Sequence, residues 1–169
     1  LYSSAASDVY KRQFYDPATL CRGNTYVTPD NDTEYQPEEF YYTDAISDNA
    51  ARYVADHFRD HGDGPFFLYV AYTSAHWPMH APEAEIKKYD GVYDTGYRPM
   101  REARYQKAIE KGVISDKWPM SKGAVDWKKF PYKEWDIRCM EVYAAMVDRM
   151  DQGIGRVVDQ LKKHNALDN

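Results

Sequence analysis

Two histidines, His76 and His80, stand in a proline-containing segment that directly follows an apolar run. The run covers residues 66–72, seven apolar or aromatic positions in a row, and it begins just after Gly64 and Pro65. This pattern is typical of a strand buried on both faces, as in the centre of a parallel sheet. Functional groups of such sheets lie just beyond the carboxyl ends of the strands. His76 occupies that position, where an imidazole can donate a hydrogen bond or transfer a proton.

The spacing of the two histidines would suit a pair of metal ligands only on a helix. Pro78 and Pro82 disfavour the helical region at the residues that precede them, so residues 74–82 are predicted to be extended and irregular. The spacing by four therefore gives no reason to predict a metal site. For His76 a second interpretation stays open, because an imidazole can also cap a loop through structural hydrogen bonds.

A predicted amphipathic helix over residues 42–62 precedes the apolar run. Thr43 or Asp44 can cap its start, and Gly62 ends it. Its apolar positions fall on one stripe: Ile46, Ala50, Tyr53, Val54 and Phe58. Helix, glycine turn and buried strand together predict an α/β fold, in which helices flank a buried, mainly parallel sheet.

Three stretches of different character follow the histidine segment. Residues 82–89 are predicted to form a short helix, and residues 98–111 a charged helix that faces mainly solvent. Residues 114–134 combine aromatic residues, prolines and five lysines, which predicts a long irregular connection. Such a connection often rims an active site, although an anchored surface loop has the same composition.

The last predicted helix, at about residues 135–164, has the strongest periodicity in the chain. Its acidic residues Glu141, Asp148 and Asp151 are interpreted as parts of a packing helix. Gly153 and Gly155 are predicted to let the helix approach the sheet closely. The apolar residues that recur at helical spacing are Ile137, Met140, Tyr143, Ala144, Val147, Met150, Ile154, Val157, Val158 and Leu161.

The amino-terminal region contains few features that predict regular structure. Residues 1–13 are rich in Ser and Ala, lack apolar periodicity and resemble translated adapter sequence, so we predict that they are foreign to the domain. Residues 14–40 are dense in turn-forming residues and predict a long loop, with a short strand near residues 25–28.

The composition limits both the size of the core and the classes of partner. A chain of 169 residues with 43% hydrophobic content is expected to form one core. Its net charge of −5 gives no reason to expect nucleic-acid binding, and no apolar run is long enough to span a membrane. Cys21 and Cys139 are compatible with two free thiols or with one bridge. The 16 tyrosines are compatible with stacking on sugars or with packing under loops.

Two segments of the sequence resemble the type I sulfatase family, the arylsulfatases of the alkaline-phosphatase-like superfamily. Residues 65–89 are similar to the family's strand that ends in a "PHWP-x-x-AP" loop, with Ala75 where proline is common. Residues 140–161 are similar to its "YAAMVxxMDxxIGRVVxxL" helix. The two segments have the order and spacing of the family, and the resemblance extends from about Phe14 to the end of the chain.

The resemblance implies an alkaline-phosphatase-like sandwich and the hydrolysis of sulfate esters. In the family a formylglycine attacks the sulfur, and a divalent cation, usually calcium, holds the sulfate oxygens. His76 matches the family histidine that contacts the sulfate. His80 occupies a variable family position, and we interpret it as a residue that either contacts the substrate or supports one that does. The implied substrate is a sulfated small molecule or glycan, and the implied location is periplasmic or secreted.

Other family features do not match any residue of this sequence. Cys21 lacks the proline and arginine of the nucleophile motif C-x-P-x-R, so we reject it as nucleophile. Asp168 and Asn169 are interpreted as turn formers and not as the family's metal-binding pair. We therefore interpret residues 14–169 as an incomplete catalytic domain, inactive alone, whose nucleophile and metal ligands lie elsewhere. A phosphodiesterase or phosphonate hydrolase of the same superfamily, or a non-catalytic carbohydrate-binding piece, remains as an alternative.

Overall fold

The computed structural model describes residues 14–18, 20–123 and 125–168. The predicted foreign segment, residues 1–13, lies outside the described residues. Short 3-10 turns occur at Lys87–Tyr89 and Trp127–Lys129. The strands and helices, in chain order, are β1 (Leu20–Arg22), β2 (Thr25–Val27), α1 (Tyr42–His61), α2 (Glu83–Ile86), α3 (Tyr97–Glu110) and α4 (Lys133–Lys163). All four predicted helices are confirmed, with ends that differ by at most three residues.

The two strands form an antiparallel hairpin in which Leu20 pairs with Val27. The predicted short strand is confirmed as β2, whereas its partner β1 was not predicted, because residues 21–24 have the composition of a turn. Arg22 joins the hairpin to its surroundings, donating to Asp32 through Nε at 2.9 Å and to the Tyr53 hydroxyl of α1 at 3.2 Å. The cysteine alternatives are also resolved, since both thiols are free.

Helix α4 crosses α1 most closely at Gly153. A Cβ on Gly153 would lie 2.0 Å from Ser47 Oγ of α1 and 3.2 Å from the Tyr72 hydroxyl, so only glycine allows this approach. Close packing at Gly153 is confirmed, but the partner is α1 and not the predicted sheet. At Gly155 the prediction is wrong for the described residues, none of which lies within 4 Å of the corresponding position. Two residues turn a helix by about 200°, so Gly155 faces away from α1.

The buried face of α4 differs from the predicted apolar stripe. The buried residues are Glu141, Ala145, Met146 and Gly153. Tyr143, Val147 and Ile154 of the predicted stripe keep 43%, 37% and 43% of their surface exposed. Periodicity identifies the apolar side of a helix, but the elements packed against it determine which side is buried.

Two hydrophobic clusters form the core. The first lies between the start of α1, α2 and α4, and its buried residues are Phe14, Tyr41, Ala81, Ile86, Ala145 and Met146. The second lies between the hairpin and α1, and its buried residues are Leu20, Tyr42, Ala45 and Ile46. Ala75 and Met79 of the segment that contains the two histidines pack against the first cluster.

The segment of residues 64–73 is extended but has no strand partner among the described residues. Val70 and Tyr72 pack against the second cluster, whereas Phe67 and Tyr69 are 92% and 74% exposed. The prediction that both faces are buried is therefore wrong in this structure. Burial on both faces needs a packed layer on each side, and the described residues supply one. The hairpin is the only sheet in the described part of the chain, so the parallel sheet stays a prediction.

The region of α3 is attached to the rest of the molecule at its amino-terminal end. The Tyr97 hydroxyl hydrogen-bonds to Asp136 of α4, and the Tyr97 ring meets Trp127 edge to face, with centroids 5.5 Å apart.

None of the helices in the described part of the chain has both the length and the hydropathy that a bilayer-spanning segment needs.

Candidate functional site

The loop of residues 74–82, here called the histidine loop, is held at both ends by α4 and by the residue before α1. The Ser74 hydroxyl donates a hydrogen bond to the Met146 carbonyl at 3.0 Å. The Tyr41 hydroxyl donates to the His80 carbonyl at 2.9 Å. Burial raises the pKa of Tyr41 to about 12, so this hydroxyl keeps its proton at neutral pH. Ala81 is buried in the first cluster.

The backbone of the histidine loop is irregular, as its prolines predict. The Ser74–Ala75 and Trp77–Pro78 peptide bonds are both cis. No helical turn forms between the two histidines, so they do not share a helix face.

His76 lies exposed near the middle of the histidine loop. Its backbone N–H donates to the Thr73 carbonyl at 3.0 Å, and its Nδ1 lies 2.6 Å from the Trp77 carbonyl oxygen. A carbonyl oxygen only accepts hydrogen bonds, so Nδ1 carries the proton. Nε2 has no partner within the described residues. The loop therefore orients the ring through one nitrogen and leaves the other free to bind a ligand.

Trp77 connects the histidine loop to the first turns of α4. Its ring stacks on Trp135, with centroids 6.2 Å apart and planes inclined by 15°. Both indoles are more than half exposed. The pair thus forms an aromatic surface beside His76. Sequence reasoning did not pair them, since the two residues are far apart in the chain.

His80 is held by different residues. Its ring centroid lies 6.1 Å from those of Phe14 and Tyr15. The contacts of the two histidines have no residue in common, so the structure does not unite them in one cluster. Among residues 14–18, 20–123 and 125–168, no group of three or more His, Cys, Asp or Glu side chains could hold a metal ion.

A network of ion pairs behind the histidine loop joins three helices. Arg149 of α4 binds both carboxylate oxygens of Asp44 of α1, at 2.9 and 2.8 Å, and Glu85 of α2 at 3.2 Å. Arg156 adds a contact to Asp44 at 3.0 Å. The hydrogen bonds that Arg149 donates to Asp44 raise the pKa of Arg149. Because α2 begins one residue after the loop ends, this network fixes where the loop returns to the core.

These carboxylates do not fit a calcium site. Asp44 and Glu85 have cationic partners, and Glu141 pairs with Arg138 at 3.2 Å. Asp168 is exposed after the end of α4, and Asn169 lies outside the described residues. Asp44, Glu85 and Glu141 thus pair with arginines in this structure, and the chemistry below uses only this chain's own groups.

A family model described as Sulfatase matches residues 2–169. The chain belongs to the sulfatase family. The match includes most of residues 1–13, so the boundary after residue 13 stays a prediction.

Three relatives of this sulfatase chain illustrate how much of the family's length it covers. An uncharacterized sulfatase of Schizosaccharomyces pombe is 40% identical over 110 residues, which cover 62% of this chain and 20% of the relative. An arylsulfatase of Klebsiella aerogenes is 28% identical over 144 residues, which cover 83% of this chain and 30% of the relative. The crystal structure of Ps i-CgsB in complex with k-i-k-neocarrahexaose matches with 24% identity and a TM-score of 0.45, covering 85% of this chain and 21% of that chain. The chain thus spans less than a third of each relative.

Proposed function

We propose that this chain is the part of a sulfate-ester hydrolase that presents His76 to the sulfate group. The observation that carries the proposal is the arrangement of the His76 ring. Its Nδ1 is held by the Trp77 carbonyl, and its Nε2 has no partner among the described residues and lies in an exposed loop. Membership of the sulfatase family supports the reaction type.

The chemistry follows from the atom that His76 leaves free. During hydrolysis of a sulfate ester, negative charge develops on the sulfate oxygens and on the leaving oxygen. Since Nδ1 already carries a proton, the neutral ring presents a lone pair at Nε2. The imidazolium instead presents an N–H there, which can donate to a sulfate oxygen or protonate the leaving alkoxide. The protonated ring is therefore the form that assists this reaction.

The other groups of the reaction come from outside the described residues. The family resemblance assigns the nucleophile to a formylglycine and charge neutralisation on the sulfate to a divalent cation, usually calcium. We propose that His80 lies on the substrate side of the same loop. Its exposed ring is steadied by Phe14 and Tyr15, and its carbonyl is held by Tyr41.

The test uses the complete protein that contains this chain, with the variants His76→Asn, His76→Gln and His76→Ala. An asparagine amide can replace Nδ1–H toward the Trp77 carbonyl but puts no group at Nε2, whereas a glutamine amide reaches the Nε2 position. We expect kcat for an aryl sulfate to fall about 100-fold or more in His76→Asn and His76→Ala, and less in His76→Gln.

Two outcomes would contradict this proposal. Full activity in His76→Asn would show that His76 has only a structural role. Turnover of a phosphate diester in preference to the aryl sulfate would favour the phosphodiesterase alternative. The 169-residue chain alone, supplied with calcium and an aryl sulfate, serves as the blank and should show no turnover.

A further inference from the structure

A cavity of about 380 Å³ lies between α3 and the connection that follows it, away from the histidine loop in sequence. It is at the small end of the range for ligand sites, roughly 300–1,000 Å³, and has room for a group about the size of one sugar. The residues that define it here are Arg101, Arg104, Tyr105, Ile114, Trp118 and Met120.

The walls of this cavity are fixed by hydrogen bonds between helix and connection. The Tyr105 hydroxyl donates to the Trp118 carbonyl at 2.5 Å. Arg101 donates through Nη2 to the Ser121 carbonyl at 2.9 Å and to its hydroxyl at 3.0 Å. These hydrogen bonds therefore hold the two walls of the cavity together.

The two arginines of the cavity differ from the other described arginines. Neither Arg101 nor Arg104 has a carboxylate partner within the described residues. The other seven described arginines all pair with Asp or Glu: Arg22, Arg52, Arg59, Arg98, Arg138, Arg149 and Arg156. Residues 98–122 carry seven basic and three acidic side chains, a net charge of +4 in a chain of net charge −5. Arg101 and Arg104 are therefore able to bind an anion.

The remaining walls favour an anion that carries a ring. Trp118 lines the cavity and is 64% exposed, and Ile114 and Met120 add apolar surface. An exposed indole offers a flat apolar face, whereas a guanidinium recognises sulfate or carboxylate through paired hydrogen bonds. A sugar that bears an acidic group has both the apolar face and the charge.

The cavity is connected to the histidine loop through side-chain contacts. The first residue of α3, Tyr97, bonds to Asp136, which follows Trp135 on α4. Trp135 in turn stacks on Trp77, the neighbour of His76. Because α3 rises about 1.5 Å per residue, Arg101 and Arg104 lie only about 6 and 10 Å along the helix axis from Tyr97.

We propose that this cavity binds a sulfated sugar unit of an oligosaccharide substrate. Arg101 and Arg104 hold the sulfate, and the Trp118 indole stacks on the sugar ring. The proposal rests on the proposed function for the identity of the anion as a sulfate. It goes further by assigning the binding of a sugar unit to Arg101, Arg104 and Trp118.

The test measures binding to the 169-residue chain by isothermal titration calorimetry, so it needs no turnover. The probes are a tetrasaccharide with one sulfate per sugar, its desulfated form and inorganic sulfate. We expect Arg104→Gln to raise the Kd for the sulfated tetrasaccharide about tenfold, as one charge-assisted hydrogen bond is lost. Trp118→Ala should raise the Kd for the sulfated tetrasaccharide by a similar factor and leave the Kd for inorganic sulfate unchanged.

Arg98→Gln is the matched control, because Arg98 is on the same helix but pairs with Glu102 at 2.8 Å and does not line the cavity. It should change the Kd less than about twofold. Equal losses in Arg98→Gln and Arg104→Gln would indicate diffuse electrostatic attraction and overturn the proposal. Equal affinity for the desulfated probe, or no effect of Trp118→Ala, would also overturn it. Unimpaired turnover in the His76 variants would refute the proposed function and leave this binding result intact.

Discussion

The hydroxyl of Ser74 donates a hydrogen bond to the carbonyl of Met146, and this bond joins positions 72 residues apart in the sequence. It fixes the first residue of the histidine loop to the middle of α4. His76 follows two residues later, so the position of its ring depends on this attachment. The loop is thus positioned by the packing of α4 and not by its own sequence alone.

Replacing Ser74 by Ala should destabilise the chain and displace the loop. The loss of one hydrogen bond between neutral groups is expected to lower the free energy of unfolding by about 1 kcal/mol. Urea titration followed by circular dichroism measures this change. Ser115→Ala is the control, because the Ser115 hydroxyl bonds only to its own turn at an exposed site. An equal effect of the two variants would show that the attachment of Ser74 to α4 contributes nothing.

The two glycines of α4 should respond to Ala in opposite directions. Gly153→Ala places a Cβ 2.0 Å from Ser47 Oγ, so α1 and α4 must separate, at a cost of about 1–3 kcal/mol. Gly155→Ala meets nothing within 4 Å and should stabilise the helix by about 0.5–1 kcal/mol. Thermal unfolding of both variants compares them directly. A stabilised Gly153→Ala would contradict the close crossing of the two helices.

Removing the guanidinium of Arg149 should be far more damaging than removing an exposed one. Arg149→Met leaves Asp44 and Glu85, both largely buried, without their shared partner, and we expect a loss of about 2 kcal/mol. Arg98→Met breaks a well-exposed pair with Glu102 and should cost less than about 0.5 kcal/mol. Denaturant titrations at low and high salt measure the free energy of unfolding of both variants. Similar losses would mean that the network of ion pairs does not fix α2.

Alkaline pH should destabilise the chain through Tyr41. Burial raises its pKa from 10.0 to about 12, so the folded state favours the neutral hydroxyl. Its contribution is fully present below pH 10 and is lost as the pH rises from 10 to about 12. In Tyr41→Phe, the free energy of unfolding should fall by about 1 kcal/mol at pH 7, because the bond to the His80 carbonyl is lost. The variant should then lose less stability between pH 10 and 12 than the parent does. An identical alkaline profile would rule out this role of Tyr41.

The sequence determined the local structure of the molecule. Helices α1 and α4 follow from apolar periodicity, and the end of α1 follows from Gly62. The irregular course of the histidine loop follows from Pro78 and Pro82. Both kinds of signal act over a few residues, so they can be recognised without knowledge of the tertiary structure. The family resemblance likewise rests on short contiguous motifs, and the family match confirms it.

Only the tertiary structure decided which surfaces meet. The buried face of α4, the exposure of Phe67 and the attachment of Ser74 to Met146 depend on elements far away in the sequence. The same is true of the cavity beside Arg104, which forms where α3 meets the connection that follows it. Local patterns identify apolar and polar sides, but burial depends on contacts between distant segments, and no local pattern encodes those contacts.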